Sequence, residues 1–213
     1  MGTCNDLDLL LIRHGITEWN VQKRYLGHTD IGLVERELPK LDPLKIELQK
    51  QSYNTIFTSD LRRCKQTLNY LSLRTQFNED ARLREMSFGD WEGKTYEDLK
   101  NNLEYQRWLN DWEQYSTPNG ESWSEFTSRL DSFLDDLIQW VKTDKINTKQ
   151  KPIVVMTHGG VIRYFLWKFK AVSSFWELNI KEGQAFRLTV SWEGDDWVCN
   201  SLLEVPLQEK ERL

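Results

Sequence analysis

The sequence predicts an α/β protein in which a mostly parallel central sheet lies between two layers of helices. Three short, largely apolar runs indicate strands, at 7–12, where only Asp8 interrupts the run, at 53–58 and at 152–157. Runs of this kind are typical of parallel strands that are buried on both faces. Polar or glycine-rich turns and helical patterns alternate with these strands, and that alternation predicts a three-layer sandwich.

Helical patterns fill most of the chain between the strands. Ser59 is the candidate N-cap of a helix over 60–71. A helix over 122–142 has Ser122 or Ser124 as its candidate cap, with Glu125 in the first turn, where the helix dipole favours a carboxylate. Two further helices are predicted over 96–115 and 161–169.

The end of the chain predicts an antiparallel hairpin. Segments 184–192 and 197–206 are apolar or alternating, and the polar residues 193–196 form the expected turn between them. The polar segment 143–151 is predicted to be a loop, and 207–213 a frayed tail.

The composition indicates one acidic, globular domain. A chain of 213 residues can bury a core without a disulfide or metal, so we expect one domain over 1–213, with a cap inserted at approximately 85–121. The net charge is -5, and Lys and Arg are interleaved with Asp and Glu, which argues against a nucleic-acid partner. The 10 Trp residues are expected mostly in the core or the cap.

Cysteine usage and the N-terminus favour a cytoplasmic protein. Cys4, Cys64 and Cys199 are odd in number and far apart, which indicates neither a disulfide framework nor a zinc site. The N-terminus carries no basic region of the secretory kind, and no apolar run approaches the ~20 residues that cross a bilayer. We therefore expect no membrane partner, and the sequence leaves a homodimer open.

Two of the three histidines follow predicted strands, and each is followed by glycine. They lie in Arg13-His14-Gly15 and His158-Gly159-Gly160. Ligands of open α/β sheets bind outside the carboxyl ends of strands, and glycine there lets the backbone approach an anion closely. Arg13 and Arg63 add guanidinium groups that match phosphate oxygens. A single strand-end histidine is more often structural, but this combination predicts a phosphate site.

These residues lie in motifs that resemble the histidine phosphatase superfamily, the phosphoglycerate mutase-like proteins, in its branch of alpha-ribazole and broad-specificity phosphatases. The stretch over 11–20, LIRHGITEWN, resembles the family's R-H-G-x-T-x-x-N signature. The further matches follow in the family's order, at 27–30 (GHTD), 58–67 (TSDLRRCKQT), 83–93 (LREMSFGDWEG), 120–122 (GES) and 157–160 (THGG).

The resemblance implies the roles of the site residues. His14 is the nucleophile and Glu85 the general acid. The remaining phosphate ligands are Arg13, Arg63 and His158, and the motif matches Arg63 rather than Arg62. Asn20 contacts phosphate or orders its loop, and the expected substrate-binding residues are Asn20, His28 and Gly159.

The mechanism that the resemblance implies needs no cofactor or metal. Neutral His14 attacks phosphorus in line, and positive donors stabilise the equatorial oxygens of a loose transition state. Glu85 protonates the leaving oxygen and later activates the water that hydrolyses phosphohistidine. The expected reaction is hydrolysis of a small phosphomonoester, with alpha-ribazole 5'-phosphate as a family-level candidate.

The sequence departs from the family pattern after Asp30. There the family usually has a helix, but Pro39 breaks that helix or makes it begin late. Ile16 stands where many relatives carry Glu. In the cap, Trp91, Trp108 and Trp112 suit the packing of helices better than stacking on a planar leaving group.

Several alternatives remain open at this stage. A cofactor-dependent phosphoglycerate mutase uses the same nucleophile, although the motif over 88–93 and the chain length favour a phosphatase. A phosphoryl-binding regulatory protein without turnover would not require the intact set of catalytic residues. A metallohydrolase is disfavoured because His14 and His158 have no carboxylate partners at metal-ligand spacing. Glu18 and Glu92 are rival acids to Glu85.

Overall fold

The computed structural model describes residues 6–73, 76–143, 148, 151–193 and 196–206. Six strands form one mixed sheet in the order β3-β2-β4-β1-β5-β6. The strands are β1 Asp6–Arg13, β2 Ile56–Thr58, β3 Phe77–Glu79, β4 Ile153–Thr157, β5 Ala185–Glu193 and β6 Asp196–Val205. The predicted α/β class, with a mostly parallel sheet and a C-terminal hairpin, is confirmed.

The strand register brings three strand ends together at one edge of the sheet. β4 lies between β1 and β2 and is parallel to both, and β2 is also parallel to β3. Arg13 is level with Thr157, and Thr58 is level with Met156. The residues that follow these strands, His14, Ser59 and His158, therefore emerge side by side.

Seven α-helices connect or flank these strands within the described residues. They are α1 Glu18–Val21, α2 Asp42–Leu48, α3 Arg62–Leu71, α4 Tyr96–Leu99, α5 Leu103–Asn110, α6 Trp123–Thr143 and α7 Gly159–Lys168. 3₁₀ helices occupy Glu35–Leu41, Ala81–Leu83 and Gly89–Trp91.

The start of α3 differs from the prediction. Ser59 is not its cap, because the helix begins at Arg62 and Leu61 occupies the N-cap position without a side-chain hydrogen bond. The Ser59 hydroxyl instead lies 2.9 Å from Nε2 of His158. At α6, Ser122 rather than Ser124 is the cap, since Glu125 N donates to its hydroxyl and Ser122 N donates to the Glu125 carboxylate.

The single helix predicted over 96–115 is wrong, because α4 and α5 are separate. The Asn102 side chain accepts from the backbone N–H groups of Glu104 and Tyr105 at 2.8 and 3.1 Å and so begins a new helix. Pro39 lies inside a 3₁₀ helix and α2 begins only at Asp42, so the helix in this segment begins late.

Two strand predictions also need correction. β2 begins at Ile56 rather than Tyr53, whose hydroxyl donates to the carbonyl of Leu48. The three-residue edge strand β3 was not predicted, because its sequence, FNE, has one apolar residue. Of the predicted turn at 193–196, residues 194–195 lie outside the described residues. So do most of the loop at 143–151 and the tail at 207–213.

Two apolar clusters cover the two faces of the sheet and complete the three layers. One packs side chains of α6 and α7, such as Phe133 and Phe165, against the sheet, and the other packs α2 and α3 through residues such as Leu44 and Leu68. A third cluster lies within 91–108, where Trp91, Leu99, Tyr105 and Trp108 pack together. No helix among the described residues is long and apolar enough to cross a membrane.

Candidate active site

His14 and His158 lie side by side at the sheet edge. Their ring centroids are 5.1 Å apart, and the side chains are almost fully buried. The backbone N–H of His14 donates to the carbonyl of Thr157, which fixes the end of β1 to the end of β4. The two strand ends that the sequence identified therefore form one site.

His14 is held in the form that a nucleophile requires. Its Nδ1 lies 2.7 Å from the carbonyl oxygen of Gly15. A carbonyl oxygen only accepts, so Nδ1 carries the proton and Nε2 keeps its lone pair. Burial, and then the charges of Arg63 and Arg13, hold the pKa of His14 well below 6.5. The imidazole is therefore neutral near pH 7.

Arg63 is a fully buried cation beside both histidines. Its Nη1 and Nη2 donate to the carbonyls of Thr29 and Gly27 at 2.9 and 2.6 Å, and its Nε donates to Nδ1 of His158 at 3.3 Å. Burial lowers the pKa of Arg63, but a guanidinium stays charged in proteins. Arg62, by contrast, is exposed.

Both ring nitrogens of His158 are bound to protein groups. Because Nδ1 accepts from Arg63, the proton of the neutral ring lies on Nε2, which faces the hydroxyl of Ser59. Burial, and then Arg63 and His14, hold the pKa of His158 well below 6.5. The structure thus places His158 beside His14 as a neutral ring.

The Nε of Arg13 has no hydrogen-bond partner in the part of the chain that the structure describes, although it is buried. The two other nitrogens of the guanidinium are bound, because Nη1 donates to the carbonyl of Ile180 at 2.6 Å and Nη2 pairs with Glu182 at 2.9 Å. A Cβ built on Gly159 would lie 3.4 Å from this Nε, so the unpartnered donor faces the start of α7.

The loop after His14 is fixed by two polar residues. Gly15 N donates to the hydroxyl of Thr67 at 2.9 Å, and that hydroxyl donates to the carbonyl of Arg63. Asn20 and Thr17 cap α1 reciprocally, so Asn20 orders the loop. Sequence reasoning assigned no role to Thr67, although its spacing of four from Arg63 puts both on one face of α3.

Glu85 is oriented by two backbone N–H groups. Oε1 accepts from Met86 N at 3.0 Å, and Oε2 accepts from Gly160 N at 2.9 Å. Any side chain at Gly160 would overlap this carboxyl group. Gly160 is therefore a site residue that the sequence analysis did not single out, although it lies in the HGG motif.

The two rival acids have other surroundings. Glu18 is exposed on α1. Glu92 accepts from the backbone N–H groups of His28, Thr29 and Phe88, at 2.7, 2.7 and 3.2 Å. Glu92 thus fixes the 27–29 loop, whose carbonyls bind Arg63.

His28 lies at the border of the site. Its Nε2 is 3.6 Å from the Glu121 carboxylate and makes no hydrogen bond to any of the described residues. Burial lowers its pKa, although the negative charge of Glu121 opposes the shift.

An aromatic cavity of about 630 Å³ opens beside Glu85 and Gly160. Trp108, Trp112 and Arg163 contribute to its wall, whereas Trp91 is buried in the third apolar cluster, within 91–108. The further aromatic side chains in the wall are Tyr25, Phe88, Trp123, Phe126, Phe175 and Trp176. Trp112 contacts Trp123 edge-on at 4.4 Å, so it both packs and lines the cavity.

This arrangement combines a neutral imidazole whose Nε2 keeps its lone pair, buried guanidinium groups and a nearby carboxyl group. Those groups suit phosphoryl transfer, in which catalysis is largely positioning and electrostatic stabilisation. Among the described residues, no group of three or more His, Cys, Asp or Glu side chains is placed to hold a metal ion.

Comparison with known proteins supports the same chemistry. An adenosylcobalamin/alpha-ribazole phosphatase of Salmonella typhimurium is 28% identical over 181 residues, which are 82% of this chain and 86% of the relative. A glucosyl-3-phosphoglycerate phosphatase of Mycobacterium tuberculosis is 31% identical over 162 residues, 72% of this chain and 71% of that protein.

A solved structure and a family model agree. The crystal structure of the alpha-ribazole phosphatase from Shigella flexneri matches with a TM-score of 0.77 and 25% identity, covering 92% of this chain and 96% of that one. The family model of the histidine phosphatase superfamily (branch 1) matches residues 9–204. The resemblance predicted from the motifs is confirmed, and the chain belongs to the histidine phosphatase superfamily.

Proposed function

We propose that the chain hydrolyses a small phosphomonoester through a phosphohistidine intermediate on His14. The observation that carries the proposal is the hydrogen bond from Nδ1 of His14 to Gly15 O, which leaves Nε2 as a neutral nucleophile. The lowered pKa of His14 keeps that nitrogen unprotonated near pH 7.

In the first half of the reaction, Nε2 of His14 bonds to phosphorus as the ester P–O bond breaks. Glu85 gives its proton to the departing alkoxide. The guanidinium of Arg63 and the free Nε of Arg13 stabilise the phosphoryl oxygens. His158 joins them by donating its Nε2–H to a phosphoryl oxygen in place of the hydroxyl of Ser59. In the second half, Glu85 takes a proton from water, the oxygen bonds to phosphorus, and the P–N bond breaks to release phosphate and free His14.

The aromatic cavity supports a planar leaving group. It adjoins Glu85, whose proton goes to the leaving oxygen, so the alcohol portion of the ester occupies the cavity. Aromatic walls favour a flat ring by stacking and edge contacts. Alpha-ribazole 5'-phosphate, which carries a flat aromatic base, is our candidate substrate, in keeping with the named activity of two of the compared proteins.

The low positive charge of the cavity wall argues against a phosphoglycerate mutase. A mutase returns the phosphoryl group to a small, strongly anionic substrate, which needs several cations around it. Among the residues that the structure describes, Arg163 is the one cationic side chain in the cavity wall. A mutase assay with 2,3-bisphosphoglycerate would detect that activity, and a rate that exceeds ester hydrolysis would contradict our proposal.

The test is a panel of aromatic and aliphatic phosphomonoesters, assayed with and without chelator on wild type and His14→Ala. We expect a phosphoenzyme that is acid-labile and base-stable in wild type alone, and turnover that chelator leaves unchanged. Full activity of His14→Ala, or the absence of a phosphoenzyme on rapid acid quench, would refute the mechanism.

The remaining assignments extend the proposal. We assign phosphate or substrate contacts to Asn20, His28 and the backbone of Gly159. We also propose a single domain, in which approximately 85–121 form the cap over the leaving group. The few, dispersed cysteines support a cytoplasmic location. Gel filtration with light scattering would show whether the chain is a homodimer.

A further inference from the structure

The segment that carries Glu85 is irregular, and one guanidinium group binds it. After the 3₁₀ helix Ala81–Leu83, the backbone is extended at Arg84, so its carbonyls lack partners in a regular element. Arg129 of α6 supplies hydrogen-bond donors to these carbonyls. Its Nη1 donates to the carbonyls of Arg82 and Arg84 at 2.5 and 2.8 Å, and its Nη2 donates to the carbonyl of Glu85 at 2.9 Å.

Glu121 holds Arg129 and also binds the other side of this segment. Its two carboxylate oxygens accept from Nε and Nη2 of Arg129 at 2.6 and 2.9 Å. One of them accepts from Ser87 N at 2.8 Å, and Glu121 N donates back to the carbonyl of Ser87. Both charged side chains are only 17% exposed. The backbone is therefore fixed before and after Glu85.

The electrostatics of the pair keep Glu121 ionised. Although burial acts to raise the pKa of Glu121, the hydrogen bonds and charge of Arg129 hold it below its ordinary value. An ionised carboxylate and a guanidinium in this bidentate geometry form strong, directional hydrogen bonds. A lysine at position 129 keeps the charge but cannot present the same fork to three carbonyls.

We infer that Arg129 and Glu121 form a clamp that positions Glu85 for proton transfer to the leaving oxygen. Neither side chain reaches the phosphate ligands Arg13, Arg63 or His158 through a hydrogen bond among the described residues. The hydrogen bonds of the clamp therefore go to the segment that carries the acid, and the Glu121 carboxylate also lies 3.6 Å from Nε2 of His28. The clamp rests on the proposed function, in which Glu85 is the acid.

A misplaced acid can be distinguished from a general loss of folding, because it lowers kcat/KM for one kind of ester and not for the other. A dinitrophenyl phosphate has a leaving group that departs without a proton, whereas an alkyl phosphate requires the acid. The ratio kcat/KM reports the step in which the ester bond breaks. A loosened acid therefore lowers kcat/KM for the alkyl ester and leaves the dinitrophenyl ester almost unchanged.

The experiment measures kcat/KM for both esters on Arg129→Lys. Misplacing a catalytic group by ~1 Å costs about 10²-fold, so we expect about that loss for the alkyl phosphate and less than about 3-fold for dinitrophenyl phosphate. Inhibition by inorganic phosphate is expected to stay at the wild-type value. Equal losses for the two esters, or no loss for the alkyl ester, would overturn the clamp.

Two further variants complete the design. Glu121→Gln keeps the shape of the side chain and removes its negative charge. We expect it to lower kcat/KM for the alkyl ester about 10-fold and to leave the dinitrophenyl ester almost unchanged. This variant tests the inference if Arg129→Lys does not fold. Arg187→Lys is the matched control, because Arg187 makes a bidentate pair with the buried Asp8 on β1. It should lower stability without any selectivity between esters.

Glu85→Gln separates the clamp from the proposed function. If Glu85→Gln is selective for the ester and Arg129→Lys is not, the clamp is wrong and the acid assignment stands. If Glu85→Gln loses both esters equally, the acid assignment itself fails.

Discussion

Gly160 gives a sharp test of the geometry around the acid, because the substitution Gly160→Ala adds a single methyl group. The added Cβ would lie 3.1 Å from Cδ of Glu85 and would overlap Oε1, whereas ordinary contact begins near 3.4 Å. The carboxyl group must move, and its 2.9 Å hydrogen bond from Gly160 N weakens. Gly160 lies in the first turn of α7, so the helix itself tolerates alanine.

The size of this overlap sets the expected loss of activity. A displacement on the order of 1 Å at the acid costs about 10²-fold in rate, which is about 2.7 kcal/mol in the barrier. Replacing glycine by alanine inside a helix favours folding by at most about 1 kcal/mol. The Tm of Gly160→Ala should therefore change by only a few degrees while the activity falls.

The assay compares kcat/KM for an alkyl phosphate with the thermal unfolding curve of the same preparation. Wild-type kcat/KM in a folded Gly160→Ala enzyme would refute the proposed position of the acid.

Three further predictions concern titration and the cavity. The Nε2 resonance of His14 should titrate with a midpoint below 6.5, because burial lowers its pKa, and a midpoint at or above 6.5 would contradict a buried neutral ring. Because their pKa values are lowered, His14 and His158 bind fewer protons in the folded state than in the unfolded state. These two rings should therefore leave the free energy of unfolding unchanged above about pH 7.5. Below pH 6.5 the free energy of unfolding should fall, by up to about 1.4 kcal/mol per pH unit for each ring. Urea titrations at pH 7.5 and 5.5 test this, and equal stabilities would exclude it. Trp112→Ala should raise KM about 10-fold for aromatic esters and leave glycerol phosphate unchanged, and equal changes would show that Trp112 does not contact the leaving group.

Local sequence patterns predicted the sheet edge well because they depend on neighbouring residues. An apolar run followed by histidine and glycine shows where a buried strand ends, and it correctly put His14 and His158 after β1 and β4. The same reasoning failed at 96–115, where Asn102 looked compatible with one long helix but caps a second one. A competing side-chain hydrogen bond leaves little trace in a hydrophobic pattern.

The sequence by itself determined the fold class and the family and predicted the nucleophile, since those follow from strand periodicity and short contiguous motifs. Only the tertiary structure decided how the acid is held. The contacts of Arg129 with the Glu85 segment join residues 44 to 47 positions apart, and those of Arg63 with the 27–29 loop join residues 34 to 36 apart. Such contacts involve backbone carbonyls, which every residue carries, so side-chain identity cannot reveal them until the chain has folded.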